Sequence, residues 1–392
     1  MITIILGSSM ILFMNALQKG GQEQMIDDAA AANTAHIQIH EKGFWDNSGI
    51  DYAFMPTEKL LKELIRLRKN SMITAFSMRL HADGLISYKN KTSGGSIQAV
   101  DPEQEKKVCG MHAKILKGGR YLNASDRMNI VIGKDLAKSV GVGPGGVISV
   151  ISQGFDGSIA AENLTIVGIF QTGDPEIDRY LVVMPIAQAM NTFTMMGYIN
   201  SIAVRLMRSD DIPVVRDIIC EAVNQNEIEV MDCYELMPEL MQHLEMDRYP
   251  ALIFNFILLM VAAFGILNTI QMSVFERIRE FGVMLAVGTR PGQVAAMVLC
   301  ESMLITLTGI AAGLAVGSLA CYYFILYPID YSGMGDELNV YGISSSFSYS
   351  PKISALNVAL TMTVIFVSSL LFSLLPARKA GALRPVEAIH HL

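Results

Sequence analysis

The sequence lacks the motifs that bind nucleotides or carry out catalysis. Its glycine-rich stretch at residues 141–146 contains Pro144 but no lysine, so it is not a phosphate-binding loop and is explained as a turn. No set of nucleophile, general base and oxyanion donors can be assembled. His36 and His40 lie about 13 Å apart on a predicted strand, too far to share a metal. We therefore expect no catalytic residue, no metal site and no cofactor in this chain.

Charged residues and cysteines are also few. Only 17% of the residues are charged, the formal net charge is −7, and no basic face or stripe is present, which argues against nucleic acid as a partner. Of five cysteines, Cys109, Cys220 and Cys233 lie in the segment between the first two apolar stretches. Three widely spaced cysteines do not form a disulfide framework. They are expected to be buried hydrophobic side chains, with one Cys220–Cys233 bridge as the alternative.

Long apolar stretches are what the sequence has in abundance, and 51% of its residues are hydrophobic. Four stretches are long enough for about 20 helical residues to cross a bilayer: Ile2 to Leu17, Ala251 to Met272, Val294 to Leu326 and Ile353 to Leu375. We expect an α-helical membrane protein with four transmembrane helices and a large α+β extracytoplasmic domain between helices 1 and 2. The expected segments are helices at 1–18, 250–272, 293–327 and 353–375, the domain at 19–249, loops at 273–292 and 328–352, and a tail at 376–392.

The placement of charges predicts the orientation of these segments. The 273–292 loop and the tail each carry three basic residues, which are Arg277, Arg279 and Arg290 in the loop and Arg378, Lys379 and Arg384 in the tail. The loop between the third and fourth stretches carries the acids Asp330, Asp336 and Glu337. Since Lys and Arg in short loops resist translocation, the 273–292 loop and the tail should be cytoplasmic and the large domain extracytoplasmic.

The first apolar stretch is short for a span, and Lys19 follows it with no basic residue before it. This pattern predicts that the protein begins upstream with a basic cytoplasmic segment. A cleaved signal peptide is the alternative, although its charged leading region is absent and 15–18 is a poor cleavage site.

The segment at 19–249 alternates between strand and helix periodicity, which predicts an α+β domain of two lobes. Strands are predicted over Ala35 to His40, Ile73 to Tyr88, Ser96 to Val100, Val147 to Ser152, Leu164 to Phe170, Tyr180 to Met184 and Ile202 to Leu206. Helices are predicted over Pro56 to Lys69 with Thr57 as its cap, Lys134 to Val140, Ile186 to Phe193 and Ile212 to Asn224. A further helix over Leu236 to Tyr249 should run into the second span.

Polar and small residues inside the predicted spans indicate where these helices pack against other parts of a protein. Gly309, Gly313 and Gly317 recur every fourth residue and should let another helix approach closely, either within one bundle or at a dimer face. Asn255, Asn268 and Gln271 should face protein or a cavity, because amides are costly in lipid. Glu301 should pair with a basic group near the cytoplasmic interface, more in a structural role than as a proton relay.

The segment Val274 to Gly288 resembles the V-x-E-R-x-x-E-[IF]-G-x-x-x-A-x-G loop of the FtsX/MacB-type ABC permeases. The tail, with Pro376-Ala377-Arg378-Lys379-Ala380 and Pro385-Val386-Glu387-Ala388, is similar to that family's ending. Motifs of the large domain resemble the LolC/LolE-like, lipoprotein-releasing branch: Ala35 to His40, Val100-Asp101-Pro102, Gly119-Arg120-Tyr121-Leu122, Ile132 to Ala137 and Val167 to Gly173. The resemblance covers nearly the whole chain, with an FtsX-like permease domain at about 250–392.

The resemblance implies a permease subunit whose ATP and Mg are bound by a separate cytoplasmic ABC ATPase dimer. It assigns the ATPase-coupling role to Glu276, Arg277, Arg279, Glu280, Phe281 and Gly282. An amphipathic helix there could seat its apolar face in a groove of the ATPase, or lie on lipid as the alternative. A second permease copy or homologue, membrane lipids and a periplasmic carrier or adaptor are the other implied partners. The hairpin at 153–162 is short and has no proline, which puts carrier binding in doubt.

Three functions follow from these observations. The first is a bacterial inner-membrane permease for lipoprotein release or export, with its large domain in the periplasm. The second is a permease of the same architecture for peptide or drug efflux, or one that transmits force to a periplasmic hydrolase. The third is a membrane-anchored sensor or scaffold without an ATPase, which leaves the Glu276 to Gly288 helix without a purpose.

Overall fold

The computed structural model describes residues 1–330 and 348–384. The described residues form two compact units, which we call the helical unit (Met1–Gln22, Gln242–Asp330 and 348–384) and the α+β domain (Glu23–Met241). Asp336, Glu337 and the 385–388 part of the tail motif lie outside the described residues.

The helices are α1 (Ile2–Ala29), α2 (Glu58–Lys69), α3 (Pro102–Val108), α4 (Lys134–Val140), α5 (Pro175–Tyr180), α6 (Ile186–Thr192), α7 (Ile212–Ala222), α8 (Cys233–Leu236), α9 (Pro238–Glu276), α10 (Ile278–Ala286), α11 (Pro291–Leu326) and α12 (Ala355–Gly381). A π-helical turn, Ala30–Thr34, follows α1. The strands are β1 (Ile37–Glu41), β2 (Ile73–Tyr88), β3 (Lys91–Val100), β4 (Asn129–Gly133), β5 (Val147–Gln153), β6 (Ile159–Phe170), β7 (Leu181–Pro185), β8 (Ser201–Leu206), β9 (Ile228–Asp232), β10 (Ile329–Asp330) and β11 (Ser348–Tyr349).

Within the described residues, four helices are long and apolar enough to cross a membrane: α1, α9, α11 and α12. They contain 28, 39, 36 and 27 residues, and each extends beyond its predicted span at one end or at both, although α12 begins two residues after the predicted start at 353. The difference arises because polar residues can continue a helix after the apolar run has ended, and the hydrophobic signal does not register them. The α+β domain lies between α1 and α9 in the chain, as the sequence predicts.

One nine-stranded sheet forms the centre of the α+β domain, in the order β3-β7-β4-β6-β5-β2-β8-β1-β9. Because β3 also pairs with β2, six of these strands close into a ring, and β8, β1 and β9 extend from it. The 16-residue β2 joins the two parts: its first half pairs with β8 and its second half with β5. The two expected lobes are therefore two parts of one sheet.

Local sequence explains why α2 forms and where it packs. The Thr57 side chain accepts a hydrogen bond from the Leu60 backbone amide, which confirms the predicted cap. Leu60, Leu64 and Leu67 recur at helical spacing and are buried, while the basic residues of the last turn are exposed.

Several predicted boundaries need correction. The first strand begins at Ile37 because Ala35 has a positive φ of 60° that interrupts an extended chain. The helix predicted over Leu236 to Tyr249 is broken at Met237, and α9 begins at Pro238, a residue that suits the first turn of a helix. Short elements such as α3, α5, β4 and β9 have too few residues to show a clear period and were missed. All five cysteines lie in the described part of the chain and are free, so there is no Cys220–Cys233 bridge.

Acidification should destabilise the α+β domain through His81 in β2. Burial, with the charges of Arg79 and His40, lowers the pKa of His81 from 6.5 to about 3. Between those values the unfolded chain binds a proton that the folded domain does not, so stability falls as the pH drops through this range. Denaturant unfolding at about pH 7.5 and about pH 5 should show the loss, and His81→Gln should reduce it. An equal loss in the variant would contradict this assignment.

Candidate ATPase-coupling site and helix packing

The candidate coupling site is the short helix α10, which stands between two long helices. The helix before it ends at Glu276, and Arg277 leaves helical geometry with φ −109° and ψ 13° before α10 begins. Gly288 adopts a φ of 102° just after α10, a conformation that glycine tolerates and other residues rarely adopt. Helical geometry is thus interrupted on both sides of α10.

One face of α10 is covered by its own chain. Phe281 is only 1% exposed and belongs to one apolar cluster with Val294, Val298, Ala377 and Ala380. Gly282 and Ile278 are also buried. The sequence-based interpretation placed the apolar face of this helix, which includes Ile278 and Phe281, in a groove on the ATPase. The structure corrects this placement, because those residues pack among the helices of the same unit.

The opposite face of α10 and its flanks are exposed. It carries the predicted residues Glu276, Arg279 and Glu280, all exposed. It also carries apolar side chains: Phe275, Val283 and Val287 are 65%, 48% and 84% exposed. This face therefore presents charged side chains interspersed with a few apolar ones. Such a pattern contributes more to the specificity of an interface than to its affinity.

Arg277 is turned toward the protein and contacts three groups. Its Nε donates to Glu280 Oε2 at 2.8 Å, its Nη1 donates to Glu301 Oε2 at 3.1 Å, and its guanidinium lies 5.4 Å from the centre of the Phe281 ring. The Ser273 hydroxyl also donates to Glu301, at 3.4 Å. The expected pairing of Glu301 with a basic group is confirmed. Arg277 thereby joins the start of α10 to α11.

The three glycines of α11 face α1 of the same chain. A Cβ at Gly309 would lie 2.8 Å from Ile4 Cγ2, and one at Gly317 would lie 3.1 Å from the Ser9 carbonyl oxygen. At Gly313 it would overlap the Ser8 hydroxyl. Of the two alternatives for this stripe, close packing within one bundle is the arrangement seen.

Polar groups in the helical unit form a small network that the sequence only partly indicated. Asn255 Nδ2 donates to Asn15 Oδ1 at 2.8 Å, and Asn15 Nδ2 donates to Thr361 Oγ1 at 3.3 Å. This places Asn255 against protein, as predicted, but Asn268 is exposed on this chain. Asn15 and Thr361 were missed because single polar residues in apolar segments carry no pattern that identifies their partner.

The hairpin between β5 and β6 is held against the rest of the α+β domain. The Phe155 ring lies 5.2 Å from the Tyr198 ring, and the Phe155 amide donates to the Phe193 carbonyl oxygen at 2.9 Å. This is the hairpin that, by resemblance, corresponds to the carrier-binding one. Its tip is fixed by its own domain.

The chain combines a helical unit of long apolar helices with an α+β domain inserted after the first of them and a short helix after the second. Two family models match the sequence: MacB-like periplasmic core domain at residues 1–221 and FtsX-like permease C-terminal at residues 252–385. The chain belongs to the FtsX/MacB-type family of ABC permeases, as its motifs predicted.

Curated relatives include two differently named proteins. "Macrolide export ATP-binding/permease protein MacB 2" of Aeromonas hydrophila is 24% identical over 99% of this chain and 57% of its own length. "Lipoprotein-releasing system transmembrane protein LolC" of Neisseria meningitidis is 21% identical over 96% of this chain and 89% of its own length. The chain thus spans little more than half of the first relative. The solved periplasmic region of MacB from Actinobacillus actinomycetemcomitans aligns at 17% identity over 55% of this chain and 94% of its own, with a TM-score of 0.38.

Proposed function

We propose that this chain is the permease subunit of an ATP-driven transporter in the bacterial inner membrane, with its α+β domain in the periplasm. It couples ATP hydrolysis by a cytoplasmic ABC ATPase dimer to movements of that domain. The observation that carries the proposal is the division of α10 into two faces. One face is packed into the helical unit through Phe281, and the other exposes Glu276, Arg279 and Glu280.

With two such faces, α10 can be displaced by the ATPase on its exposed side and can transmit that displacement to the helical unit through its packed side. A displacement of the exposed face would carry Phe281 with it, and Phe281 packs in the same cluster as residues of α11 and α12. The Arg277–Glu301 ion pair provides a second connection to α11. Packed side chains with few voids transmit such displacements because the interior has low compressibility. The α+β domain is connected in the chain to α1 and α9, which would deliver the motion.

The partners in this proposal are those that the family resemblance implies. ATP and Mg bind to the ATPase, while this chain contributes the exposed face of α10. A second permease copy or homologue completes the transporter, and membrane lipids surround the four apolar helices. Transport then depends on movement of the periplasmic domain rather than on a continuous pore.

Lipoproteins are the proposed cargo, to be released from the membrane or exported. The relative named LolC supports this choice because its similarity extends over 89% of its own length. A second candidate is peptide or drug efflux, or force transmission to a periplasmic hydrolase. It is favoured by the β5–β6 hairpin, whose Phe155 is engaged by Tyr198 and Phe193 and so is not free to hold a carrier.

The test is a reconstitution of the permease with its ATPase in proteoliposomes, scored for ATP-dependent release of a fluorescent triacylated lipoprotein and for efflux of a labelled macrolide. Replacing Asp247-Arg248-Tyr249 in α9 by three glycines should leave ATP hydrolysis intact and abolish release, because glycine weakens the helix by about 1 kcal/mol per residue. The same replacement of Asn224-Gln225-Asn226, an exposed turn, is the control. Release at the unaltered rate by the α9 variant would refute force transmission, and efflux without release would favour the second candidate.

A further inference from the structure

The carboxyl end of α1 enters the α+β domain through an unusual backbone. The π-helical turn Ala30–Thr34 ends at Ala35, which has φ 60° and ψ −171° and is fully buried. This region of backbone space is essentially reserved for glycine, and a residue with a side chain costs about 1–3 kcal/mol there. Such a conformation persists only where surrounding contacts enforce it.

The enforcing contacts come from side chains of the domain. The Asn33 carbonyl oxygen accepts a hydrogen bond from Arg79 Nη1 at 2.6 Å and another from Cys109 Sγ at 3.4 Å. The Thr34 carbonyl oxygen accepts one from Gln38 Nε2 at 2.8 Å. The last carbonyls of a helix have no partner within the helix and carry partial negative charge, so a guanidinium suits this position well.

Arg79 is itself held by a buried carboxylate. It is 1% exposed, and its Nη2 and Nε donate to the two oxygens of Glu105 at 2.6 and 3.4 Å. Nη2 also lies 3.0 Å from Cys109 Sγ, and burial raises the pKa of that thiol to about 12. The thiol therefore stays neutral and can donate to Asn33. We call Asn33, Arg79, Glu105 and Cys109 the Arg79 cluster; it joins the end of α1 to β2 and α3.

Stability alone does not account for this arrangement. A buried ion pair is weak evidence for stability, because apolar residues of similar volume often replace it at no loss. Glycine at position 35 would relieve the backbone at the cost of one buried methyl group, which belongs to an apolar cluster with Ala75, Val108, Cys109 and Ala203. The chain instead combines a strained residue with a rigid, planar cation that fixes several acceptors at once, which lysine could not do.

We propose that Arg79 and Glu105 are positioning residues that, together with the restricted backbone of Ala35, lock the end of α1 to the α+β domain, so that displacement of α1 is delivered to the domain without local yielding. This inference rests on the proposed function, in which ATP hydrolysis moves the domain. Without the lock, the π-helical turn and Ala35 would absorb the displacement by changing their backbone angles.

The first test is Ala35→Gly, which keeps the Arg79 cluster and frees the backbone. In the full permease with its ATPase, spin labels at Asn90 of two permease copies report movement of the domain on addition of ATP. The variant should keep the ATPase rate and show a smaller distance change than the unaltered protein, because glycine at position 35 lets the backbone yield. Ala160→Gly, at a buried alanine in the regular strand β6, is the matched control. A distance change equal to that of the unaltered protein would overturn the proposal.

The second test separates positioning from folding. Arg79→Met with Glu105→Leu removes both charges together, which avoids leaving one buried charge unpaired. The double variant should fold and retain the ATPase, but show faster hydrogen exchange at the amides of residues 30–35 and a smaller ATP-driven distance change. Unchanged exchange and an unchanged distance would refute the lock. If the unaltered complex shows no ATP-driven change, the proposed function fails instead, whereas exchange at residues 30–35 still reports on the Arg79 cluster alone.

Discussion

Exchanging the charges of Glu276 and Arg279, as Glu276→Arg with Arg279→Glu, should release the cytoplasmic ATPase from the purified permease. Both side chains are exposed, and neither appears in the Arg277–Glu301–Glu280 network, so the fold of the helical unit should be unaffected. Disrupting a charge pair that is buried at an interface costs about 2–5 kcal/mol, so burial of these two charges by the ATPase predicts an affinity loss of about 30-fold or more. Copurification in detergent, scored as ATPase bound per permease, measures the effect.

The matched control is the reverse exchange on the α+β domain, Glu58→Lys with Lys62→Glu. These residues form an exposed i,i+4 pair on α2, and the exchange likewise preserves the net charge. It should leave the bound ATPase unchanged. Phe281→Ala changes the buried face of the same helix instead. It should lower the unfolding temperature of the permease, because a buried Phe to Ala change costs about 3–5 kcal/mol. Full retention of the ATPase by the charge exchange would rule out α10 as the docking element.

Gly313→Leu should prevent α1 from packing against α11. Even a methyl group at this position would overlap the Ser8 hydroxyl and lie 2.9 Å from the Ile5 carbonyl oxygen, and that backbone atom cannot move without displacing the helix. Overpacking of this kind costs about 1–3 kcal/mol in adaptable cores and more where backbones meet. We expect a variant that is recovered in low yield and unfolds at a clearly lower temperature in detergent.

A leucine at an exposed position of the same helix provides the control for this substitution. Val316 is 50% exposed, so Val316→Leu places the same side chain at an open position of α11, and the variant should unfold like the unaltered protein. Gly313→Ala should be partly rescued by Ser8→Gly, which removes the overlapping hydroxyl. If Gly313→Leu unfolds at the same temperature as Val316→Leu, α1 does not occupy this face of α11.

The long helices could be predicted well from the sequence because an apolar run of about 20 residues is typical of a membrane-spanning helix. The sequence also located α10, since its charged and apolar residues alternate with helical spacing. It did not reveal which face of α10 is covered: the same pattern serves a helix that packs on its own chain and one that packs on a partner. Only the structure shows that Phe281 points inward and Val287 outward.

Contacts between residues far apart in the chain are the second feature that the sequence could not predict. Arg79 and Glu105 are separated by 26 positions and belong to no recognisable motif, so their pairing depends on how β2 and α3 meet. For Glu301 the need for a basic partner could be predicted, because a lone carboxylate near the end of an apolar helix needs a cation, but the identity of that partner, Arg277, could not. The unusual backbone of Ala35 leaves no trace in the sequence, since alanine is common in helices and strands.

The central claim is that ATP hydrolysis in the cytoplasm moves the α+β domain, and a distance measurement tests it most directly. Nitroxide labels at Asn90, in the exposed turn between β2 and β3, report the separation of the two permease copies in the complete transporter. We predict that trapping the ATPase with ATP and vanadate shifts this separation, and that the shift disappears when the Glu276 and Arg279 charges are exchanged. An identical distance distribution with and without ATP, in a complex that hydrolyses ATP, would contradict the account.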